Sequence, residues 1–498
     1  MGKLPSASRF HPAKYTVSSF LASFGGLLLG IDTSIIGPVT VMDSFTGQFG
    51  HPSAAVHGII VSSILLCAAA GSCFAGRPAD ALGRPRAMAL GATLFTLGVA
   101  LQAGAVNLVM FSLGRVVEGF GEGLYFSPQT VYICEIAPPR VRGALTTLPQ
   151  FMTCAGLVVG YFLSYGTVNI PGSLSWRLPF IILAALSVAH VSASLLLLPE
   201  SPRWLALRGR HAKAAKTWET LQVKPEDRGI EENAPTAADA GVVRELPEQE
   251  KSEAKHAGLR DLWAPDVRKQ TFLAIFFMGS LQLCGIDAVL YYAPLLFQQA
   301  GLQSSQASFL ASGVSAIVIV LASIPASLYA DKWGRRTSTL IGGVILTGTM
   351  ILMGALYAGG AVHPTYGAGR WVVIVCIYIY CVNFATTWAI SVKVWAPEIQ
   401  PQHTRSMGMS LAAGSNWICN WFVTFVCPIL LDKSASAAYF LFGACAGVAT
   451  IVCFFFMIET NGKSLDEIEQ AVHKRKTAHS GRLGNFFSPC RRQEMKAG

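Results

Sequence analysis

The sequence predicts an all-α polytopic membrane protein: twelve transmembrane helices in two groups of six, joined by a polar cytoplasmic stretch. Three observations carry this. The chain of 498 residues is 52% hydrophobic and only 13% charged, whereas soluble domains hold roughly 25% charged residues. Apolar segments near the ~20-residue length needed to span a bilayer recur twelve times. The longest polar interval, near 199–269, divides them six and six.

The segments are bounded by charge. Segment 1 (15–36) follows Lys3, Arg9 and Lys14. Segment 2 (57–77) is separated from segment 3 (87–105) by Arg77, Arg84 and Arg86. Segment 4 (108–132) is separated from segment 5 (145–167) by Arg140 and Arg142, and segment 6 (178–198) completes the first half. Thirteen Lys or Arg then fall between 199 and 269. Segments 7 (271–298) and 8 (307–330) precede Lys332, Arg335 and Arg336, and segments 9 (337–358) and 10 (371–396) precede Arg405. Segments 11 (407–431) and 12 (437–458) lead to a tail with Lys463, Lys474, Arg475 and Lys476. The opposite loops are nearly bare, with Arg370 and Lys433 at their edges. Basic residues collect on the cytoplasmic side, so both termini and the linker are expected there. The net charge of +10 thus follows membrane topology and does not mark a nucleic-acid partner. The expected organisation is an N-terminus (1–14), a first bundle (15–198), a linker (199–269), a second bundle (270–458) and a tail (459–498).

Charges occur where bilayer is expected. Asp32 lies in segment 1, in Phe24-Gly-Gly-Leu-Leu-Leu-Gly-Ile-Asp32, and Arg115 lies in segment 4, in Gly114-Arg115-Val-Val-Glu118-Gly-Phe-Gly-Glu122-Gly. A charge at mid-membrane costs a few kcal/mol or more, so it persists where it has a partner, faces a cavity, or moves a proton or solute. The pair points to transport; a purely structural ion pair is the alternative. Glu118 and Glu122, three and seven residues past Arg115, fall on roughly its helix face. The twelve cysteines lie mostly in apolar segments, as Cys67, Cys73, Cys154, Cys284, Cys376 and Cys453 do, and show no metal spacing. Cys in such a setting behaves as a small hydrophobe. No nucleotide loop or nucleophile motif is seen, so neither an enzyme nor a cofactor is expected. No cleavable signal peptide is evident. Met1-Gly2 and Cys490 meet bare lipidation patterns that add nothing to twelve spans.

The halves repeat one another. Asp80-Ala-Leu-Gly83-Arg84 recurs as Asp331-Lys-Trp-Gly334-Arg335-Arg336. Glu135-Ile-Ala-Pro138 with Arg142 recurs as Glu398-Ile-Gln-Pro401 with Arg405, and Pro199-Glu200-Ser201 is echoed by Glu459-Thr460. Parallel six-helix repeats place a site near the midplane between the halves. Carboxylates at the cytoplasmic helix ends can bridge an arginine and helix termini. These residues, with Arg203, are the candidate cytoplasmic gate, expected to hold when the inner side is closed.

Gly76-Arg-Pro-Ala-Asp80-Ala-Leu-Gly83-Arg84-Pro-Arg86 resembles the loop motif of the major facilitator superfamily. Pro199-Glu200-Ser201-Pro202-Arg203-Trp204-Leu205 is similar to the sugar porter signature after helix 6. Gly114-Arg115 with Gly119, Gly121 and Gly123, then Ile286, Tyr291-Tyr292-Ala293-Pro294 and Asn416-Trp417, fit the same family. The resemblance spans roughly 15–475 and implies the major facilitator fold, alternating access and a helical linker at 201–268. It implies that Asp32 is the protonated acid of symporters, with Arg115 as partner. It also implies that Gln150, Gln282, Asn416 and Trp417 contact a sugar. The chemistry agrees. Amides offer donor and acceptor together, and an indole packs on the ring's CH groups while its N–H bonds a hydroxyl.

Three positions depart from the family pattern. Leu281 replaces the first glutamine of a pair, Asp287 replaces an asparagine, and Lys393 replaces an aromatic five residues before Glu398. Lys393 and Asp287 either pair and neutralise each other around a neutral sugar or polyol, or Lys393 meets the carboxylate of a sugar acid such as a uronic acid. A facilitator and a non-transporting sugar sensor are the other readings. Asp32 argues against the first, and the short basic tail argues against the second. The plasma membrane is the expected location.

Overall fold

The computed structural model describes residues 13–225, 261–265, 267–302, 304–329, 333–363, 366–401 and 404–461. Among them no strand occurs. The first half is α1 (Lys14–Val41), α2 (Ala54–Phe74), α3 (Arg84–Ala103), α4 (Leu108–Ile136), α5 (Leu148–Thr167) and α6 (Leu174–Leu196). The second is α7 (Arg268–Leu283), α8 (Ser305–Tyr329), α9 (Arg335–Ala358), α10 (Gly369–Thr386), α11 (Arg405–Lys433) and α12 (Ala435–Phe456). Two of these continue past a break. After α7 come Ile286–Tyr291 and Ala293–Gln299, and after α10 comes Trp388–Glu398.

Among the described residues, eleven helices are long and apolar enough to cross a membrane. The remaining one is α4. Its 29 residues reach about 43 Å at 1.5 Å per residue, more than the ~30 Å of a bilayer core. It falls short on composition alone, because it carries Arg115, Glu118, Glu122 and Glu135. The fold tolerates them by wrapping α4 with α1, α2 and α3. Glycines make the approach close. A Cβ on Gly98 or Gly121 would meet backbone across the α3–α4 interface, and one on Gly119 or Gly123 would meet α2 backbone. Small residues of this kind let membrane helices pack at short range. Gly30 and Gly156 do the same between α1 and α5, which fixes the depth of Asp32.

Both breaks have local causes. At Gly285 the backbone turns left-handed (φ 93°), which glycine adopts without a Cβ penalty. Tyr292 then interrupts again before Pro294 at the next helix start. Past α10, Thr387 leaves helical geometry with φ −116° and ψ −80°. Non-helical backbone at membrane depth is tolerated where it is buried in protein or lines a cavity. These two breaks flank Asp287 and Lys393.

The halves meet through α2–α11 and α5–α8. At the end away from the linker, a Cβ on Gly37 or Gly58 would strike the carbonyls of Tyr291 or Phe425. The Tyr161 hydroxyl donates to the Leu290 carbonyl, and His57 packs edge-on to Tyr292 at 5.5 Å. On the linker side, Pro202–Leu207 is capped by the Ser201 hydroxyl, which accepts from Trp204 N–H at 3.2 Å. The Trp204 indole N–H and Arg208 both donate to the Asp80 carbonyl, at 2.9 and 2.6 Å. The linker thereby grips the loop after α2.

Candidate functional site

The buried charges form one cluster. Arg115 Nη1 donates to Asp32 Oδ1 at 2.6 Å and to Glu118 Oε2 at 3.5 Å, and Nη2 donates to the Val61 carbonyl on α2 at 3.1 Å. Gln102 Nε2 on α3 donates to Glu118 Oε2 at 2.5 Å. Asp32 and Glu122 are 1% exposed, and Arg115 and Glu118 0%. Breaking a buried ion pair by deleting one partner costs about 3–5 kcal/mol. Asp32 therefore ties α1 to α4 through an interaction whose strength depends on its protonation.

A second group lies between the halves. Lys393, on Trp388–Glu398, donates from Nζ to Gln150 Oε1 on α5 at 3.1 Å. Both side chains are exposed although each stands at membrane depth and touches the opposite half. The contact spans the cleft between the halves. Gln282 Nε2 donates to Asn416 Oδ1 at 3.4 Å, and Asn416 Nδ2 donates to the Met278 carbonyl at 2.9 Å, holding α7 to α11. Trp417 follows on α11 and is half-buried against the core. Asp287 accepts from Asn420 Nδ2 at 2.5 Å.

The neutral-pair expectation for Lys393 and Asp287 is corrected at this point. The two interact electrostatically but do not form an ion pair. Each is held by a nearer amide, Gln150 for the ammonium and Asn420 for the carboxylate. The cleft therefore contains a cation and an acid at separate positions.

The linker-side charges repeat as the sequence does. Arg84 binds Glu135 with Nε at 3.2 and 3.1 Å and Nη2 at 3.0 Å, and Asp80 at 2.8 Å. Arg335 meets Glu398 at 3.6 Å. Arg86 meets Glu200 at 3.2 Å, while Glu459 accepts from the Arg335 and Arg336 N–H groups at 2.8 and 3.1 Å. A carboxylate there complements the N-terminus of α9. Each of these pairs joins elements of a single half. They bridge neighbouring helices and helix ends within each bundle. Arg142 donates to the Ala137 carbonyl at 3.4 Å, and Arg203 forms no ion pair among the described residues. Asp331 and the Arg405 side chain lie outside what is described.

Asn420 and Gln102 are functional candidates that motif reading passes over. A usable signal existed for Asn420, which lies four residues after Asn416 on the same helix face. Gln102 is a lone amide at the end of an apolar segment and gains meaning only from its contact with Glu118.

The profile of the family described as "Sugar (and other) transporter" matches residues 18–472. The chain is 28% identical over 478 residues to a high-affinity glucose transporter of Kluyveromyces lactis, covering 92% of this chain and 85% of that one. It is 30% identical over 468 residues to the putative metabolite transport protein YwtG of Bacillus subtilis, covering 93% and 96%. The backbone superposes on the inward-open xylose transporter XylE of E. coli with a TM-score of 0.72 at 22% identity, covering 92% and 99%. These relatives are transporters and not enzymes. With a match that runs through both bundles and the linker between them, the chain belongs to the sugar transporter family of the major facilitator superfamily, as a multi-pass membrane protein.

Proposed function

We propose that the protein carries a monosaccharide or polyol across the plasma membrane together with a proton, by alternating access, with both termini cytoplasmic. The observation that carries the proton is the 2.6 Å contact between Asp32 and Arg115, both fully enclosed. The amides Gln150, Gln282 and Asn416 and the indole of Trp417 supply the hydroxyl and ring contacts a sugar needs. The name of the K. lactis relative supports the solute class. The test is uptake by purified protein in liposomes, using neutral sugars, polyols and sugar acids, with and without a pH gradient. Accumulation that requires the gradient is expected. Binding without uptake of any solute would make the protein a sensor, and uptake indifferent to the gradient would make it a facilitator.

Single alanine changes at Gln150, Gln282, Asn416 and Trp417 should each weaken apparent affinity several-fold while the protein stays in the membrane. A lost hydrogen bond is worth about 0.5–1.5 kcal/mol, and sugar titrations of the four variants measure it. Wild-type affinity in all four would place the solute elsewhere.

One observation favours a second solute class. Lys393 is exposed in the cleft and bound only to an amide, so its charge is available to a carboxylate on the solute. A sugar acid such as a uronic acid would then be carried.

A further inference from the structure

Glu118 is a buried acid that the transport reading does not use. It is 0% exposed, and its Oε1 has no hydrogen-bond partner. Its Oε2 shares one guanidinium nitrogen with Asp32: Arg115 Nη1 stands 3.5 Å from Glu118 Oε2 and 2.6 Å from Asp32 Oδ1. Two carboxylates crowded onto one cation repel each other, and a proton held between them relieves that repulsion. Charge balance leads to the same place. One guanidinium, Arg115, faces Asp32 and Glu118 directly and Glu122 at longer range. With all three acids ionised, the enclosed cluster would hold a net charge of about −2, and an unpaired buried charge is held only at great cost.

We propose that Glu118 is the second half of the proton site, so that the transported proton is shared between Asp32 and Glu118 over Arg115. The inference rests on the symport reading and deepens it. Two acids sharing one cation titrate as a unit, and each raises the other's hold on the proton. Gln102 sets the balance from the other side, because its N–H donates to Glu118 Oε2 and favours the ionised form. The other titratable groups facing the pair are Glu122 and Tyr125 on α4 and Tyr291 after α7, with His190 of α6 against Tyr125 at 5.9 Å. None of them hydrogen-bonds Asp32 or Glu118. The shared proton lowers the negative charge facing Arg115 by one. Protonated, the pair is a neutral-plus-anion unit matched to Arg115. When the proton leaves, the excess negative charge pulls on Arg115 and favours the arrangement that readmits water.

Glu118→Gln keeps the shape and removes the shared proton. Asp32 then faces Arg115 without a competing acid and binds its proton less tightly. The pH profile of gradient-driven uptake should move to lower pH by about one unit, a tenfold higher proton concentration, while solute exchange at saturating proton continues. Gln102→Met removes the donor to Glu118 and should move the profile the other way. It serves as the test should Glu118→Gln fail to reach the membrane. A packing role alone would alter protein yield and leave both profiles in place. If wild-type uptake proves proton-driven and the recovered variants share its profile, the shared-proton site is wrong while symport stands. If wild-type uptake moves no proton, symport itself fails and this inference falls with it.

Discussion

Asp32→Asn should abolish accumulation of solute against a gradient while sparing exchange of labelled for unlabelled solute. Asparagine matches the size of the acid and can still accept from Arg115, but it binds no proton. Arg115 is not stranded by the change, because Glu118 Oε2 remains at 3.5 Å, so the variant should fold and insert. The effect is large because the proton supplies the driving force. One charge crossing 100 mV yields about 2.3 kcal/mol, a roughly fifty-fold concentration ratio. The variant should settle at a ratio near one. Counterflow and net uptake, measured side by side in liposomes, separate the two activities. Accumulation equal to wild type would remove Asp32 from the coupling step.

Arg115→Leu makes a harsher contrast. It leaves Asp32, Glu118 and Glu122 in one enclosed space with no cation. Truncating one partner of such a pair costs about 3–5 kcal/mol, a large share of the 5–15 kcal/mol that holds a typical domain. Both transport and the yield of folded protein should fall. Normal thermal stability in detergent together with normal uptake would show that the cluster is not one unit.

The bundle was legible in the sequence because bilayer thickness imposes a length on every span, and basic loops impose a side. The same rule makes α4 the element hardest to read by hydropathy, since Arg115, Glu118 and Glu122 lie inside the span. Asp32 and Arg115 stood out because charge at that depth needs a partner, a cavity or a transport role. The partners of Lys393 and Asp287 could not be read in the same way. Opposite charges at helix positions that face a common cleft suggest a pair, yet the choice between Asp287 and Gln150 depends on backbone breaks after α7 and α10. Those breaks lie at Gly285 and Thr387. The linker-side residues show the same limit. Their repeat marks which residues correspond between the halves, but the partners, Arg84 with Glu135 and Arg335 with Glu398, are visible only in the structure.

Lys393→Met should be severe, and the way it fails identifies the solute. The ammonium holds Gln150 across the cleft at 3.1 Å, and a hydrogen bond to a charged group is worth about 1.5–3 kcal/mol. If the solute is a neutral sugar or polyol, the change frees Gln150 and weakens apparent affinity by roughly ten-fold or more, while every turnover still moves one positive charge with the proton. If the solute is a sugar acid, its carboxylate loses its only cationic contact in the cleft and uptake disappears. A monoanion carried with one proton also moves no net charge, so the wild-type cycle would be electrically silent. Asp287→Asn is the complementary change. Because Asp287 is held by Asn420 and not by Lys393, it should not rescue Lys393→Met under either solute, whereas a hidden direct pair would show as recovery in the double variant. Current and uptake recorded together decide among these outcomes. Inward current with neutral sugars, none with sugar acids, and an affinity defect in Lys393→Met are the results expected of the proposed symporter. Silent uptake of a uronic acid that Lys393→Met eliminates would instead assign the lysine to the solute's carboxylate.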